Sequence, residues 1–579
     1  MSLLGGAVAT GALIAGSVLL DGSAGTAAAD PAPGGRQAVE YHGYRVEVPA
    51  QWRVVDLDQH PDACVRFDRP TVYLGHPGDS ANCPADAFGR TAGLVVEPID
   101  ERVAQHVTPD VATAAKGSAA APADAVSRNG SIQVAVEDAG VLVTAATTPE
   151  TEASVRDVLR SAELLPGATH TALPAPAAAS APRAAAPQPG TYEGKGFDAC
   201  AAPSQSTMNA WYDSSPYRAI GVYISGGFRA CAQPNLTATW VSNQISKGWH
   251  LIPIEVGRQA PCSDFSSRMS SDPDTARAQG AEAADNSASV AKSLGIVEGS
   301  AIYNDIEGYP SNASCKAAVL SFLSGWTERL HAHGYLSGFY SSGGSGIKDA
   351  ASAYNDDSYT RVDHIWFAWW NDAADVDAGS YAPAETWASH QRLHQYHGPV
   401  NETYGGATIN IDRDYLDVAE GTPPPPDACV VADLDFDSYA KLSSGSQGEQ
   451  VTAAQCLLRS AGHSTGDGDP SGTFDDATVQ ATTAFQKEVG LTADGVVDSH
   501  TWTALLSQGD TPTIQNGSTG SAVKRLQRAL TAALGRTVDI DGIFGSGTAQ
   551  AVKDYQSAHD LDADGICGAQ TWGALQAGK

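Results

Sequence analysis

The sequence predicts a multidomain fold: a small α+β N-terminal unit, a central (β/α)8 TIM-like barrel, and two small three-helix C-terminal modules. Three observations predict it. The C-terminal third matches itself at an offset of 70 to 72 residues, the mark of a repeated unit. Strand-like and helical runs alternate through residues 196–418, as parallel strands with crossover helices require. Two low-complexity segments, residues 166–192 (Ala, Pro, Thr and Gly) and Thr422–Pro426, separate these regions. Chains of that composition cannot bury a core and act as extended spacers.

At 579 residues the chain exceeds one hydrophobic core, and about three to five domains is the expectation. The formal net charge of -31 restricts the partners. An acidic surface repels phosphate backbones, so no nucleic acid is expected, and anionic membranes are disfavoured. A neutral or zwitterionic glycan remains compatible.

Residues 1–29 read as a signal peptide. Leu3–Leu20 is uncharged and apolar, and Ala27-Ala28-Ala29 before Asp30 has the small-residue pattern of a cleavage site. The first basic residue is Arg36, which departs from the usual charged start, and a membrane anchor is the alternative. The run lies near the lower length limit for spanning and is diluted by glycines. The expectation is a secreted, extracellular or wall-associated protein, monomeric, with no stable membrane insertion after cleavage.

Nine cysteines stand at 64, 83, 200, 231, 262, 315, 429, 456 and 567, with no C-x-x-C. In an exported chain they read as disulfides rather than a zinc ribbon. Pairing of neighbours gives Cys64–Cys83, Cys200–Cys231, Cys262–Cys315 and Cys429–Cys456, and leaves Cys567 free.

The N-terminal unit, residues 36–165, has alternating runs such as YRVEVPAQWRVVDL and SIQVAVEDAGVLVTAA, closed by TPETEASVRDVLRSAEL. It carries no catalytic constellation, so packing or interaction is its expected role. Residues 421–443 link the barrel to the repeats. The first repeat, 444–508, reads SQGEQVTAAQCLL, GTFDDATVQATTAFQ and LTADGVVDSHTWTAL; the second, 516–578, reads STGSAVKRLQRAL, GIFGSGTAQAVKDYQ and LDADGICGAQTWGAL. Val451, Gln455, Phe474, Phe485 and Trp502 correspond to Val523, Gln527, Phe544, Tyr555 and Trp572. Each copy predicts three helices separated by Gly-x-Phe and Ala-Asp-Gly turns. Their aromatic and aliphatic positions are expected in the core. Asp560, Asp562, Asp564 and Gly565 imitate the start of a calcium loop, but Thr571 stands where its Glu belongs, so a plain turn is expected. These motifs strongly resemble the bacterial peptidoglycan-binding module, which implies peptidoglycan as partner.

In the central region, polar residues that end barrel strands point into the C-terminal mouth, where barrel enzymes do chemistry. Asp198 ends the first strand, Glu255 the third, Asp305 and Glu307 the fourth, Gln395 the seventh and Asp412 the eighth. Strands one and eight meet when the barrel closes. Asp305 and Glu307, at i and i+2, share a face, and a close acidic pair raises one member's pKa as a general acid requires. The competing reading is that these acids cap turns or pair with Arg229, Arg258 and Arg413. Tyr223, Tyr303, Tyr340, Trp366, Trp369, Trp370 and Tyr396 lie on or beside the strand ends, and sugar rings stack on such faces. Tyr223, Glu255, Tyr340, Trp366, Trp369, Gln395 and Tyr396 are the expected substrate-binding set.

The stretches GFDAC, YRAIGVYISGG, WHLIPIEVG, YNDIEGY, GFYSS and IDRDYLDV resemble a bacterial glycoside-hydrolase-like barrel domain of unknown function, related to family 25 glycoside hydrolases, the Chalaropsis-type lysozymes. The resemblance covers residues 193–420. It implies lysozyme-like cleavage of peptidoglycan glycan strands without cofactor or metal, with Asp198, Asp305, Glu307 and Asp412 as the catalytic set. Glu307 would protonate the leaving oxygen, and Asp305 would orient the substrate N-acetyl group or a water. Two departures stand out: Asp414 occupies the family's Asn position, and the third strand carries Glu255 where lysozymes favour aromatic and His residues. A catalytically inactive glycan-binding barrel is therefore the alternative. A zinc amidase or peptidase is a second, from His331, His333, His390, His394 and His397, although Gln391 replaces the Glu of H-E-x-x-H.

Overall fold

The computed structural model describes residues 35–78, 83–85, 89–103, 111–173, 189–356, 358–423, 429, 432–466, 470–518 and 520–579. The expected signal peptide and, of the low-complexity segments, residues 174–188 and 424–426 lie outside the described residues.

In the N-terminal region, strand Tyr44–Pro49 alternates buried Tyr44, Val46 and Val48 with more open Arg45, Glu47 and Pro49, the period of two that presents one face to a core. It pairs antiparallel with Arg36–Tyr41 and Glu163–Leu164. A second sheet runs Arg53–Asp56, Thr71–Leu74, Gly93–Pro98, Val141–Ala146, Ser131–Val136 and Ala112–Thr113. Helix Glu152–Arg160 buries Val155, Val158 and Leu159 against this core.

Eight strands close the central barrel: β1 Thr191–Asp198, β2 Ala219–Ser225, β3 His250–Glu255, β4 Ala301–Asp305, β5 Leu336–Ser342, β6 His364–Ala368, β7 Gln391–Tyr404 and β8 Ala407–Ala419. Helices α1 Gln205–Ser214, α2 Ala238–Lys247, α3 Pro273–Ser293 and α4 Ala313–Ala332 follow β1 to β4. Their N-caps are Ser204, Thr237, Asp272 and Asn312, each accepting a backbone N–H three residues on. The barrel departs from the expected (β/α)8 pattern in its last third. β5 is followed only by α5, Lys348–Ser352, after a π turn, and β6 by no helix. β7 and β8 form an antiparallel hairpin, and β8 closes antiparallel onto β1. The cause is the Tyr404-Gly405-Gly406-Ala407 connection: Gly405 and Gly406 take φ of 58° and 83°, and a turn that short can only reverse the chain.

Inward residues Tyr223, Ile254, Tyr303, Tyr340, Trp366, Leu393 and Leu416 fill the barrel. Outward residues Phe197, Ile220, Val222 and Leu251 meet Trp211, Trp240 and Trp326 of the helices. Gly338 makes room for the Tyr303 ring, since a Cβ there would lie 2.1 Å from Tyr303 Cδ1. Outside, Gly280 and Gly325 let α3 and α4 touch backbone to backbone: added Cβ atoms would lie 2.0 Å from Phe322 O and from Arg277 O.

The C-terminal modules comprise helices Glu449–Ser460, Asp476–Val489 and Ser499–Ser507, then Ser521–Leu534, Ser546–Ala558 and Ala569–Gln576. Val451, Phe474, Phe485 and Trp502, with Val523, Phe544, Tyr555 and Trp572, lie in one core shared by both modules. The self-match extends to buried polar groups. Gln486 Nε2 donates to Val496 O at 2.9 Å and Thr501 Oγ1 at 3.1 Å while its Oε1 accepts from Gly495 N; Gln556 does the same with Ile566 O at 2.9 Å, Thr571 Oγ1 at 3.1 Å and Gly565 N. Buried amides need all such partners, so the repeat retains the pattern. Asp564 caps this turn through Ile566 N.

The disulfides are Cys64–Cys83, Cys200–Cys231, Cys262–Cys315 and Cys429–Cys456, and Cys567 is a buried thiol. Among the described residues no helix is long and apolar enough to cross a membrane.

Candidate active site at the barrel mouth

Closure of β8 onto β1 places Asp412 directly opposite Asp198 and Asp414 opposite Gly196. Asp198, Asp412 and Asp414 therefore share the interior face, and Gly196 leaves the space that Leu416 fills, since a Cβ there would lie 2.7 Å from Leu416 Cδ1. From β7, Gln395 Nε2 donates to Asp198 Oδ2 at 3.0 Å and to Asp412 Oδ2 at 3.4 Å. Its Oε1 accepts from Tyr340 OH at 3.1 Å and from Trp370 Nε1 at 3.0 Å, so the amide can point only one way. Asp414 hydrogen-bonds Asp198 and accepts from Trp366 Nε1 at 3.1 Å.

Asp305 ends β4, and its carboxyl lies within the electrostatic reach of Glu307, two residues on. The exit of β4 is clamped by Gln259, whose Nε2 donates to Asp305 O at 2.8 Å and whose Oε1 accepts from Glu307 N at 2.8 Å. Asp198 and Asp305 each expose 2% of their surface, whereas Glu307 is half-buried at the lip. Among the described residues Asp305 Oδ1 has no hydrogen-bond partner.

Burial sets the electrostatics, because desolvation favours the neutral acid. It pushes Asp198 up to about 7, against hydrogen bonds from Gln395 and Asp414 that lower it. Burial, then repulsion from Glu307, Asp198 and Glu255, holds Asp305 well above the carboxylate range. Burial, then Asp198 and Asp412, does the same to Asp414. Tyr223 and Tyr340 are raised by burial and by these carboxyls, and remain phenols. Asp198 therefore titrates near neutral pH, and Asp305 and Asp414 favour the protonated form more than a free carboxyl does.

Asp198, Asp305, Glu307, Asp412, Gln395, Tyr223, Tyr340 and Trp366 lie together. Glu255 lies behind them: Ile254 faces inward, so its neighbour turns outward to Asn304 Nδ2 at 2.5 Å. Burial raises Glu255 to about 8, opposed by Arg258 and Arg229. Trp369 packs edge-on against Tyr381 at 5.3 Å, outside the acid cluster. Tyr396, one residue past Gln395, turns to the opposite face of β7 beside His394, 6.1 Å between rings. Of the arginines weighed as acid partners, Arg413 pairs with Glu402, while Arg229 and Arg258 act on Glu255.

Three contributors stand outside the expected set. Asp414 was legible from the Asp412-x-Asp414 spacing, which places both on one face. Trp370, 57% exposed, covers Gly398 and reaches Gln395; the run Trp366-Phe-Ala-Trp-Trp offered it as readily as Trp369. Gln259 sits in a loop with no sequence signal. The histidines weighed for zinc have separate partners: His331 with Asp363, His333 with Asp285, His390 with Asp417 and His397 with Asp372, and His394 with Trp369 O and Asp375 O. Among the described residues, the three metal-capable groups that cluster are Cys64, Cys83 and Cys231, all in disulfides.

Residues 209–416 match the Rv2525c-like, glycoside hydrolase-like domain, and residues 447–505 and 519–575 match the putative peptidoglycan binding domain. The chain carries an Rv2525c-like, glycoside hydrolase-like domain followed by two peptidoglycan-binding modules. Among curated relatives, the N-acetylmuramoyl-L-alanine amidase CwlL of Bacillus licheniformis is 33% identical over 161 residues, 23% of this chain and 45% of that protein. The zinc D-Ala-D-Ala carboxypeptidase of Streptomyces albus G is 37% identical over 103 residues, 17% of this chain and 37% of that protein. The chain thus spans less than half the length of either. The Mycobacterium tuberculosis Tat-secreted protein Rv2525c, solved with L-tartrate, is 15% identical over 40% of this chain and 99% of that one, with a TM-score of 0.28. The modules support peptidoglycan as the ligand and association with the cell wall.

Proposed function

We propose that the protein is secreted, held on the wall by its two modules, and cleaves peptidoglycan glycan strands through the Rv2525c-like barrel. The observation that carries this is the Asp305–Glu307 pair, held at the exit of β4 by Gln259 and standing near Asp198 across the mouth from the β1–β8 seam. Such a pair holds one proton between two carboxyls. Glu307, its more open member, is placed to give that proton to the leaving glycosidic oxygen. Asp305, deeper and with Oδ1 free to accept, orients the N-acetyl nitrogen of the sugar or an attacking water. Asp198, Asp412 and Gln395 hold the sugar from the opposite wall, and Trp370 offers the exposed ring on which it stacks.

A second reading, a barrel that binds glycan without cleaving it, draws support from the near-complete burial of Asp198, Asp305, Asp412 and Asp414, each 4% exposed or less. Mass spectrometry of fragments released from purified sacculi separates the two. Glycan pieces with new reducing ends support cleavage; adsorption without soluble fragments supports binding alone. Release of free peptides from intact glycan would contradict both and favour amidase chemistry.

A further inference from the structure

The N-terminal unit, separated from the barrel by an Ala/Pro linker, nevertheless packs on the barrel mouth. The loop after β2 carries the contact. Phe67 N donates to Ala230 O at 2.7 Å and Ala232 N to Val65 O at 3.1 Å, an antiparallel bridge between the two units. The Cys64–Cys83 disulfide lies against Cys231 of the barrel, the three sulfurs within 4.8 Å of one another. Ala85 N donates to Asn410 Oδ1 at 2.8 Å, on the β7–β8 hairpin. Gly130, at φ 67°, comes so close to the loop that a Cβ would lie 2.9 Å from Gly227 O.

Two arginines, Arg90 buried and Arg229 half-buried, continue this contact inward. Arg90, 5% exposed, donates to Gly130 O at 2.8 Å and Ser131 Oγ at 2.6 Å within its own unit, and across the boundary to Arg229 O at 3.1 Å. Its guanidinium sits 5.0 Å over the Phe67 ring. Arg229 in turn donates to Gly226 O at 3.2 Å and to Tyr223 O and Ile224 O at 3.3 Å, and its charge acts on Glu255. The loop begins with Gly226-Gly227, a pair with little conformational preference of its own. A guanidinium presents five fixed donors, so each arginine locks several carbonyls at once.

We propose that the N-terminal unit is a brace for the barrel mouth, with Arg90 a positioning residue that fixes, through Arg229, the exit of β2 and the Tyr223 it carries. The inference goes beyond the hydrolytic reading and does not depend on turnover.

The test uses full-length Arg90→Met and Arg90→Lys with amide hydrogen exchange and the pH dependence of thermal unfolding. In Arg90→Met, amides of residues 226–232 should exchange at least about tenfold faster while those of β5 and β6 stay unchanged. With Arg229 loosened from Glu255, the midpoint of the barrel's stability loss between acid and neutral pH should move to higher pH, since a departing cation raises a carboxyl's pKa. Arg90→Lys, which keeps a cation and is the milder change, should fall between. Faster exchange confined to residues 131–136, with loop 226–232 and the pH midpoint unchanged, would overturn the proposal. A wild type that fails to cleave sacculi removes the hydrolytic reading and leaves these readouts intact.

Discussion

Gln395 on β7 hydrogen-bonds Asp198 on β1 at 3.0 Å, reaching across β8 at the barrel mouth. Its orientation is fixed by Tyr340 and Trp370, which both donate to its carbonyl oxygen. This one amide therefore ties the acids of β1 and β8 to the aromatic side of the mouth. Gln395→Leu removes a bond that lowers the Asp198 pKa, so Asp198 should titrate higher than in the wild type. It also strands the buried Tyr340 hydroxyl, and about 1–3 kcal/mol of barrel stability should be lost. Urea unfolding at pH 5 and pH 8 checks both; an unchanged midpoint at both values would contradict this role.

Stability should fall as pH rises from acid to neutral, the raised acids outweighing buried His250 and His364, whose lowered pKa values act in the opposite sense. Asp198 and Glu255 have folded pKa values of about 7 and about 8, raised by burial. Below the unfolded values near 4 both states are protonated and no penalty exists. Between there and the folded values the native state binds more protons, so stability declines through that window. Calorimetry of the whole chain should show the barrel transition lower at pH 8 than at pH 5 by on the order of 5 °C. A barrel more stable at pH 8 would contradict the assigned burial of these acids.

The contact of α3 with α4 rests on Gly280 and Gly325. Gly325→Ala would place a methyl 2.0 Å from Arg277 O, and rigid backbone cannot yield as a side chain can. The helices must separate, at a cost of about 2–3 kcal/mol. A loss under about 0.5 kcal/mol in denaturant unfolding would show that the helices do not meet so closely.

The two C-terminal modules should melt together. Arg525 of the second donates to Gln508 O at 2.7 Å and lies 4.5 Å over the Trp572 ring. His500 of the first hydrogen-bonds Gly578 O at 2.7 Å. With one core shared between them, calorimetry should give a single module transition. Arg525→Ala should lower it by about 1–2 kcal/mol. Two resolved transitions in the wild type would contradict the shared core.

Legibility in the sequence followed periodicity. Repeat spacing exposed the modules, down to Gln455 and Gln527, because each repeat must rebuild the same core. That the copies are fused was not visible, since contacts between repeats leave no period. Alternation located the barrel strands and the acids of β1, β4 and β8. The β7–β8 hairpin is where the barrel departs from the expected (β/α)8 pattern: Gly405-Gly406 is its local signal, and so short a connection leaves no room for a crossover helix. Trp369 and Tyr396 illustrate the limit at the site, where one position along a strand exchanges mouth for outer face and a bulge between Gln395 and His397 shifts the count. Gln259 and Arg90 act through backbone carbonyls on distant elements, a relation that exists only once the chain is folded.

Glycan cleavage at the barrel mouth is tested by reducing-end release from purified sacculi by the wild type and by Glu307→Gln at matched wall binding. The wild type should release reducing ends and the variant at least about a hundredfold less, the scale on which a general acid contributes. Equal release by both proteins would contradict the placement of the catalytic proton on the Asp305–Glu307 pair.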